Sequence, residues 1–358
     1  MKMTSRERVM TALEHRAPDR PPLNYFGTPE TDALLMRHLR LETREELLRY
    51  FGADVRYVAP RYVGPSEFVG MTGFGVGGKD IWGLEWKPAG NEFCTYYEVA
   101  NHPLAAARTL KELESYPWPS LDWFSVSRLK EDIASLNADE PMAIVLPLSL
   151  FFETAWALRG FENYLMDMID RPEMSDFLLG KTALFLKQLG LRAIEAAGDQ
   201  IDIVWSASDV GMQTGMIFSP DLWRSRVKPW HRELIEPFKR MGFKTRYHTD
   251  GSVAPIIEDL VEMGLDLLDP IQPNTPGMDA ENLRKLFGGR LSFYGGVDAQ
   301  NLLPHGKADQ VEREVLRLIR VLGEKGGYVV AGCNAIQPDV PIENILTLFR
   351  TAREYRYD

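Results

Sequence analysis

His248 and Asp250 stand one residue apart at the end of a run, Lys-Thr-Arg-Tyr-His-Thr-Asp, that begins at Lys244. If that run is a strand, its two-residue period puts both side chains on one face, where an imidazole and a carboxylate can converge on one ion or one substrate. A thiolate from a neighbouring strand, Cys333 in Gly332-Cys333-Asn334, would complete three zinc ligands with a fourth position open, as in a catalytic zinc site. The plainer alternative is a histidine hydrogen-bonded to substrate or to a capping carboxylate without metal, and spacing alone does not choose between the two.

Other candidates follow apolar runs directly. Asp209, with Gln213 four residues on, comes after Ile-Asp-Ile-Val-Trp-Ser-Ala-Ser and could orient a substrate or act as general acid or base; its alternative role is a helix cap. Gln272 ends the run through Asp269-Pro270-Ile271, and Asn334 ends the last one. Asp298 follows Gly295-Gly296, where bare backbone would admit a substrate, and it too could be a cap. Asp80, Trp82 and Trp86 are candidates for an aromatic lid that binds substrate, or for the small core of an insertion. Cys94, in the alternating stretch 93–97, reads as part of a structural hairpin, and His15, His38, His102, His231 and His305 lack partners at ligand spacing.

The elements that must position these residues are short apolar runs alternating with longer segments of helical period, the signature of parallel βαβ units. Eight strands are expected, at 21–26, 54–59, 142–149, 202–207, 244–250, 265–271, 291–297 and 328–334. Helices are expected at 5–14, 161–169, 174–197, 220–241, 253–263, 279–287, 307–322 and 342–355. Ser5 and Ser219 are read as start signals, the latter followed by Pro220 at a first helical position. Eight such units fit a single (β/α)8 barrel, which puts chemistry at the C-terminal ends of the strands. Residues 64–120 break the rhythm with a glycine-rich run at 70–78 and a Pro-Trp-Pro at 117–119, and are expected to form an insertion at the barrel mouth.

Composition bounds the rest. The chain has 358 residues, 45% hydrophobic and 26% charged, enough for one large core, with no repeat or linker to divide it. Forty-one basic against 51 acidic residues give −10, no footprint for nucleic acid or an anionic membrane, so small molecules are the expected partners. No segment approaches the ~20 apolar residues that span a bilayer. With two cysteines and no leader-like start, the expected location is cytoplasmic.

With these residues in place the sequence resembles the uroporphyrinogen decarboxylase superfamily. The likeness lies in Arg6-Glu7-Arg8-Val9 with Asp19-Arg20-Pro21-Pro22, in Leu158-Arg159-Gly160-Phe161-Glu162, and in Ser219-Pro220-Asp221-Leu222-Trp223. It continues in the run from His248 through Gly251, Gly264, Asp266 and Pro270 to Gln272, and in Pro338-Asp339-Val340-Pro341-Ile342-Glu343-Asn344. The resemblance implies a barrel fold, and a homodimer. The heme-pathway decarboxylase is known for an Arg-Gln-Ala-Gly-Arg-Tyr motif that pairs with substrate carboxylates. Here that place reads Leu23-Asn24-Tyr25-Phe26-Gly27-Thr28-Pro29, and no arginine occurs between Arg20 and Arg37. The cobamide-dependent methyltransferase branch binds zinc through a His-x-Cys pair and a distant Cys; His248 matches the first ligand, Asp250 stands at the second, and the third falls on Asn334, beside Cys333.

The expectation is therefore a methyltransferase-type enzyme with zinc on His248, Asp250 and Cys333. Asp209 and His248 are the expected catalytic residues, and a corrinoid, free or on a partner protein, or a thiol is the expected methyl acceptor. Alternatives are a decarboxylase of tetrapyrroles and a corrinoid or tetrapyrrole binder without turnover.

Overall fold

The computed structural model describes residues 2–71, 77–90 and 93–357. Seven parallel strands form one curled sheet in sequential order: β1 (Val55–Tyr57), β2 (Ala143–Leu150), β3 (Ile203–Ala207), β4 (Lys244–His248), β5 (Leu267–Ile271), β6 (Ser292–Val297) and β7 (Tyr328–Gly332). Parallel neighbours need a crossover, and helices supply it: Pro172–Ala197 after β2, Lys228–Arg240 after β3, Ile257–Glu262 after β4, Ala280–Phe287, Ala308–Gly323 and Ile342–Glu354 after the rest. Side chains alternate accordingly. Val55, Val145, Ile203, Leu267, Tyr294 and Val329 form an inner cluster, whereas Tyr247 and Leu268 pack outward against the helices.

The eighth expected strand, 21–26, is reduced to a single bridge. Leu23 pairs with Val330, with Asn24 N donating to Val330 O and Val330 N to Pro22 O. Pro21 and Pro22 have no N–H to give, which cuts the ladder short. On the other side Asp54 N donates to Leu23 O at 2.8 Å, so this segment touches both edge strands. The joint is held by Asp54, fully buried, whose carboxylate accepts from Leu23 N (2.8 Å), Arg8 (2.6 Å), Arg20 (2.9 Å) and Ser5 (2.9 Å). Arg8 also pairs with Asp19 at 2.7 Å. The Arg8, Asp19 and Arg20 motif thus serves the N-terminal ends of the strands, away from the strand ends where chemistry was sought.

Helix boundaries differ from expectation where local chemistry decides. Thr4, not Ser5, caps the first helix, in a capping box with Glu7. The stretch 220–241 is two helices, Pro220–Arg226 and Lys228–Arg240, with Pro229, which has no N–H to continue the first helix's ladder, in the first turn of the second. Ser219 does cap the first of them, accepting from Leu222 N.

Within 64–120 the described residues form an antiparallel sheet of Gly78–Lys79, Glu85–Gly90 and Thr95–Val99, with a helix at Leu110–Glu114. The Gly90 to Thr95 pairing makes the expected hairpin around Cys94; most of the glycine-rich run, 72–76, lies outside the described residues. Trp82, expected at the mouth, is buried against Phe185 (ring centroids 5.1 Å) of helix Pro172–Ala197 and against Trp118, so its large apolar surface seats the insertion on the main core.

Candidate functional site

Two adjacent strand ends build the site. His248 closes β4, Asp250 follows it, and Asp209 lies two residues past the end of β3. Their ligand atoms lie within 4.8 Å of one another, and among the described residues no other group of three such side chains does so. His248 Nε2 is 3.8 Å from Asp209 Oδ1, and Asp209 Oδ1 also accepts Asp250 N at 2.8 Å, which locks the two loops together. Asn334 Nδ2 donates to Asp250 Oδ2 at 2.7 Å, while Asp250 Oδ1 is buried with no hydrogen-bond partner. A buried carboxylate oxygen without a donor is costly unless something else satisfies it.

Behind the imidazole stands Asp269 of β5, in register with His248, with Oδ2 at 3.4 Å from Nδ1. Asp269 also accepts from Arg246 (2.8 Å) and Trp205 Nε1 (3.1 Å). Burial disfavours the charged imidazole, but Asp269, then Asp250 and Asp209, outweigh it and raise the His248 pKa to about 9. Burial also pushes the Asp250 carboxyl well above the usual range, against the pull of His248.

Two further groups complete the surroundings. Glu153, in the first turn of helix Phe151–Arg159, is half-buried, accepts Asp209 N, and has its pKa raised by desolvation and by the Asp209 charge. Arg246, two residues below His248 on the same face, is ringed by Tyr57, Trp205 and Tyr294, lies 4.0 Å from the Tyr294 ring centroid, and donates to Tyr57 Oη at 2.8 Å. Asn24 Nδ2 donates to Tyr57 Oη (2.8 Å) and Tyr294 Oη (3.1 Å).

Of the residues expected from sequence, Asp209, His248, Asp250 and Asn334 are brought together. Cys333 is not among the converging ligand atoms: its Sγ accepts Ala299 N at 3.3 Å, and burial, aided by Asp298 and Asp250, pushes the thiol up to about 12. The group that could hold a metal therefore contains Asp209 and not Cys333. Asp298 caps the turn that follows it, accepting Gln300 N and Asn301 N at 2.8 and 3.1 Å. Gln213 and Gln272 bond to each other at 3.0 Å, and Gln272 Oε1 takes Gly251 N, so Gln272 tethers the loop that carries Asp250.

An imidazole and two carboxylates with an unpartnered oxygen fit a divalent cation held by three protein ligands. The set is harder than one built on thiolates, which suits zinc bound to oxygen or nitrogen better than a thiolate-rich site.

Comparison with known proteins places this architecture. The sequence profile described as uroporphyrinogen decarboxylase (URO-D) matches residues 147–355, more than half of the chain. The chain belongs to the uroporphyrinogen decarboxylase family. Its relatives include the uroporphyrinogen decarboxylases of Pelodictyon phaeoclathratiforme (25% identical over 227 residues) and Chlorobium limicola (23% over 231). Each match covers 58% of this chain and 60% of the relative, so it spans less than two thirds of the relatives' length. Among solved structures, a methyltransferase from Methanosarcina mazei superposes with a TM-score of 0.70 at 19% identity, over 98% of this chain and 99% of that one. That likeness concerns fold.

In this uroporphyrinogen decarboxylase family member the matched span contains Glu153, Asp209, Arg246, His248, Asp250 and Asp269, whereas Asn24 and Tyr57 lie before it. Sequence reasoning missed Glu153, Asp269, Arg246, Tyr57 and Asn24. Arg246 had a signal, since it is two residues from His248 and must share its face. Glu153 had a weaker one, as the first acid after the expected strand 142–149. No described helix is long and apolar enough to cross a membrane.

Proposed function

We propose that this chain is a metal-dependent methyltransferase of the family, moving a methyl group between a small molecule and a corrinoid or thiol acceptor, with zinc held by Asp209, His248 and Asp250. The observation that carries this reading is the convergence of those three ligand atoms at the strand ends beside the unpartnered Asp250 Oδ1. A bound zinc would act there as a Lewis acid, polarising an oxygen or sulfur of the substrate. The chain's own groups prepare the place. Asp269 fixes the imidazole through Nδ1 so that Nε2 faces the carboxylates, Asn334 holds one oxygen of Asp250, and Glu153 anchors the backbone of Asp209.

The sheet is read as a (β/α)8 barrel in one domain, with the Leu23 segment in the place of its first strand and 64–120 as an insertion. The reading also includes a cytoplasmic location, a corrinoid protein as possible partner and a homodimer, the last on family resemblance alone.

A second reading is a carboxy-lyase acting on a tetrapyrrole, favoured by the names of the sequence relatives and by a His248 whose carboxylate neighbours favour its charged form. Against it stands Arg246, the guanidinium nearest the site, which is spent on Asp269.

Elemental analysis of tag-free protein tests the choice. The methyltransferase reading expects about one zinc per chain, lost in His248→Ala, together with loss of methyl transfer from methylcobalamin to a thiol or of its reverse. Full methyl transfer by metal-free protein would remove it, and uroporphyrinogen turnover by that same protein would establish the second reading.

A further inference from the structure

Tyr57 ends β1, and its side chain points into the sheet's concave side, where Oη meets Arg246 Nη1 and Asn24 Nδ2, each at 2.8 Å. Yet Tyr57 is 41% exposed. An inward side chain can be that exposed only if the mouth beside it is open to solvent. Phe26 belongs to the same lining. It shares a face with Asn24, because Tyr25 between them points outward into Phe51 (4.9 Å) and Phe349 (5.7 Å), and Phe26 is 42% exposed. Trp205, edge-to-face with both Tyr57 (6.3 Å) and His248 (5.9 Å), joins the aromatic floor to the strand-end site.

The hydrogen bonding of Tyr57 leaves one capacity unused. Its oxygen already accepts two bonds, one from a guanidinium, and a phenol has two acceptor sites and one donor. The O–H is therefore a donor, and among the hydrogen bonds of the described residues none takes it as donor. Acceptance from a cation strengthens an O–H as a donor. Arg246 itself, paired with Asp269 and Tyr57, offers no free fork to a carboxylate.

We propose that Tyr57 grips the substrate through an oxygen atom, and that the substrate is a small, largely aromatic or apolar molecule bearing a carbonyl, ether or alcohol oxygen, its apolar part lying against Phe26 and Trp205. This rests on the strand ends being the substrate site, as proposed above, but on no metal.

The test is a pair of probes of equal shape, acetophenone and α-methylstyrene, which differ in a carbonyl oxygen against a methylene. Their affinities are measured by NMR titration on wild type and Tyr57→Phe. The variant is expected to bind acetophenone about tenfold more weakly, the effect of one lost hydrogen bond, with α-methylstyrene changed less than about twofold. The ratio is taken within one preparation, so any loss of folded protein cancels. An unchanged ratio, or no saturable binding of acetophenone by wild type, overturns the proposal. Should Tyr57→Phe fail to fold because Arg246 loses an acceptor, 3-fluorotyrosine at position 57, assayed at a pH low enough to keep its phenol protonated, keeps the ring and the oxygen and makes a stronger donor. Acetophenone affinity should then rise severalfold, and no rise overturns the proposal. Zinc is assayed in the same preparations. A changed ratio without zinc removes the metal reading alone, and zinc with an unchanged ratio removes the Tyr57 proposal alone.

Discussion

His248 is placed by what stands behind it. Asp269 approaches Nδ1 at 3.4 Å and is itself fixed by Arg246 and Trp205, so the imidazole has one nitrogen committed and the other turned toward Asp209 and Asp250. Such partners orient a metal-binding imidazole and raise its basicity. Asp269→Asn is expected to weaken zinc binding roughly 10–100-fold while the three ligands remain, measured by competition with a chromophoric chelator on samples whose thermal melts show intact folding. An unchanged affinity would mean that Asp269 serves Arg246 and not the site. The pair His248 and Asp250 was legible in sequence because a one-residue gap has a single meaning on a strand. Cys333 was not, because what decides its role is a backbone N–H 34 positions away, at Ala299, and no local pattern carries that.

At the scale of elements, the turn that bears Asp209 is clamped from outside the sheet. Tyr247 of β4 donates to Ser208 O at 2.6 Å, and Ser208 Oγ bonds His231 Nε2 at 3.2 Å, on helix Lys228–Arg240. His231 is buried among Phe151, Trp223 and Tyr247, and burial alone holds its pKa down to about 3. In the unfolded chain the same imidazole titrates near 6.5. Its depressed folded pKa means that the unfolded state takes up the proton first, so stability is full above about pH 6.5 and is lost as pH falls toward 3. Urea unfolding with chelator present should show wild type losing on the order of 2 kcal/mol between pH 7 and 5 from this group, a loss that His231→Phe does not share. Parallel slopes in the two proteins would reject the assignment. Alternation and period made most strands and helices readable. The break at Val227 and the shrinkage of the first strand were not read, although Pro229, Pro21 and Pro22 were in plain view; their effect depends on which N–H the neighbouring strand or helix turn needs.

The whole molecule turns on whether its curled sheet is held shut. Between β1 and β7 no strand ladder runs among the described residues, only isolated bridges at Leu23 and Gly27, and Asp54 holds that segment in place by accepting the Leu23 N–H while gripping Arg8 and Arg20. The carboxylate is fully buried, so its energy is set by its partners: removing it leaves two guanidinium groups short of an acceptor in a dry place. Asp54→Ala is therefore expected to cost roughly 3–5 kcal/mol of stability, read from denaturant midpoints, with amide exchange at Asn24 and Val330 accelerating before the rest of the sheet. Because Asp54 precedes β1 while the proposed ligands lie at the ends of β3 and β4, the damage is expected at the opposite end from the site. Zinc content in the folded fraction should stay at the wild-type level. A loss below about 1 kcal/mol would place the closure elsewhere, in the packing of Val9 and Leu13 of the first helix against the inner cluster. Loss of zinc with little loss of stability would instead show that the strand ends are set by the joint beneath them.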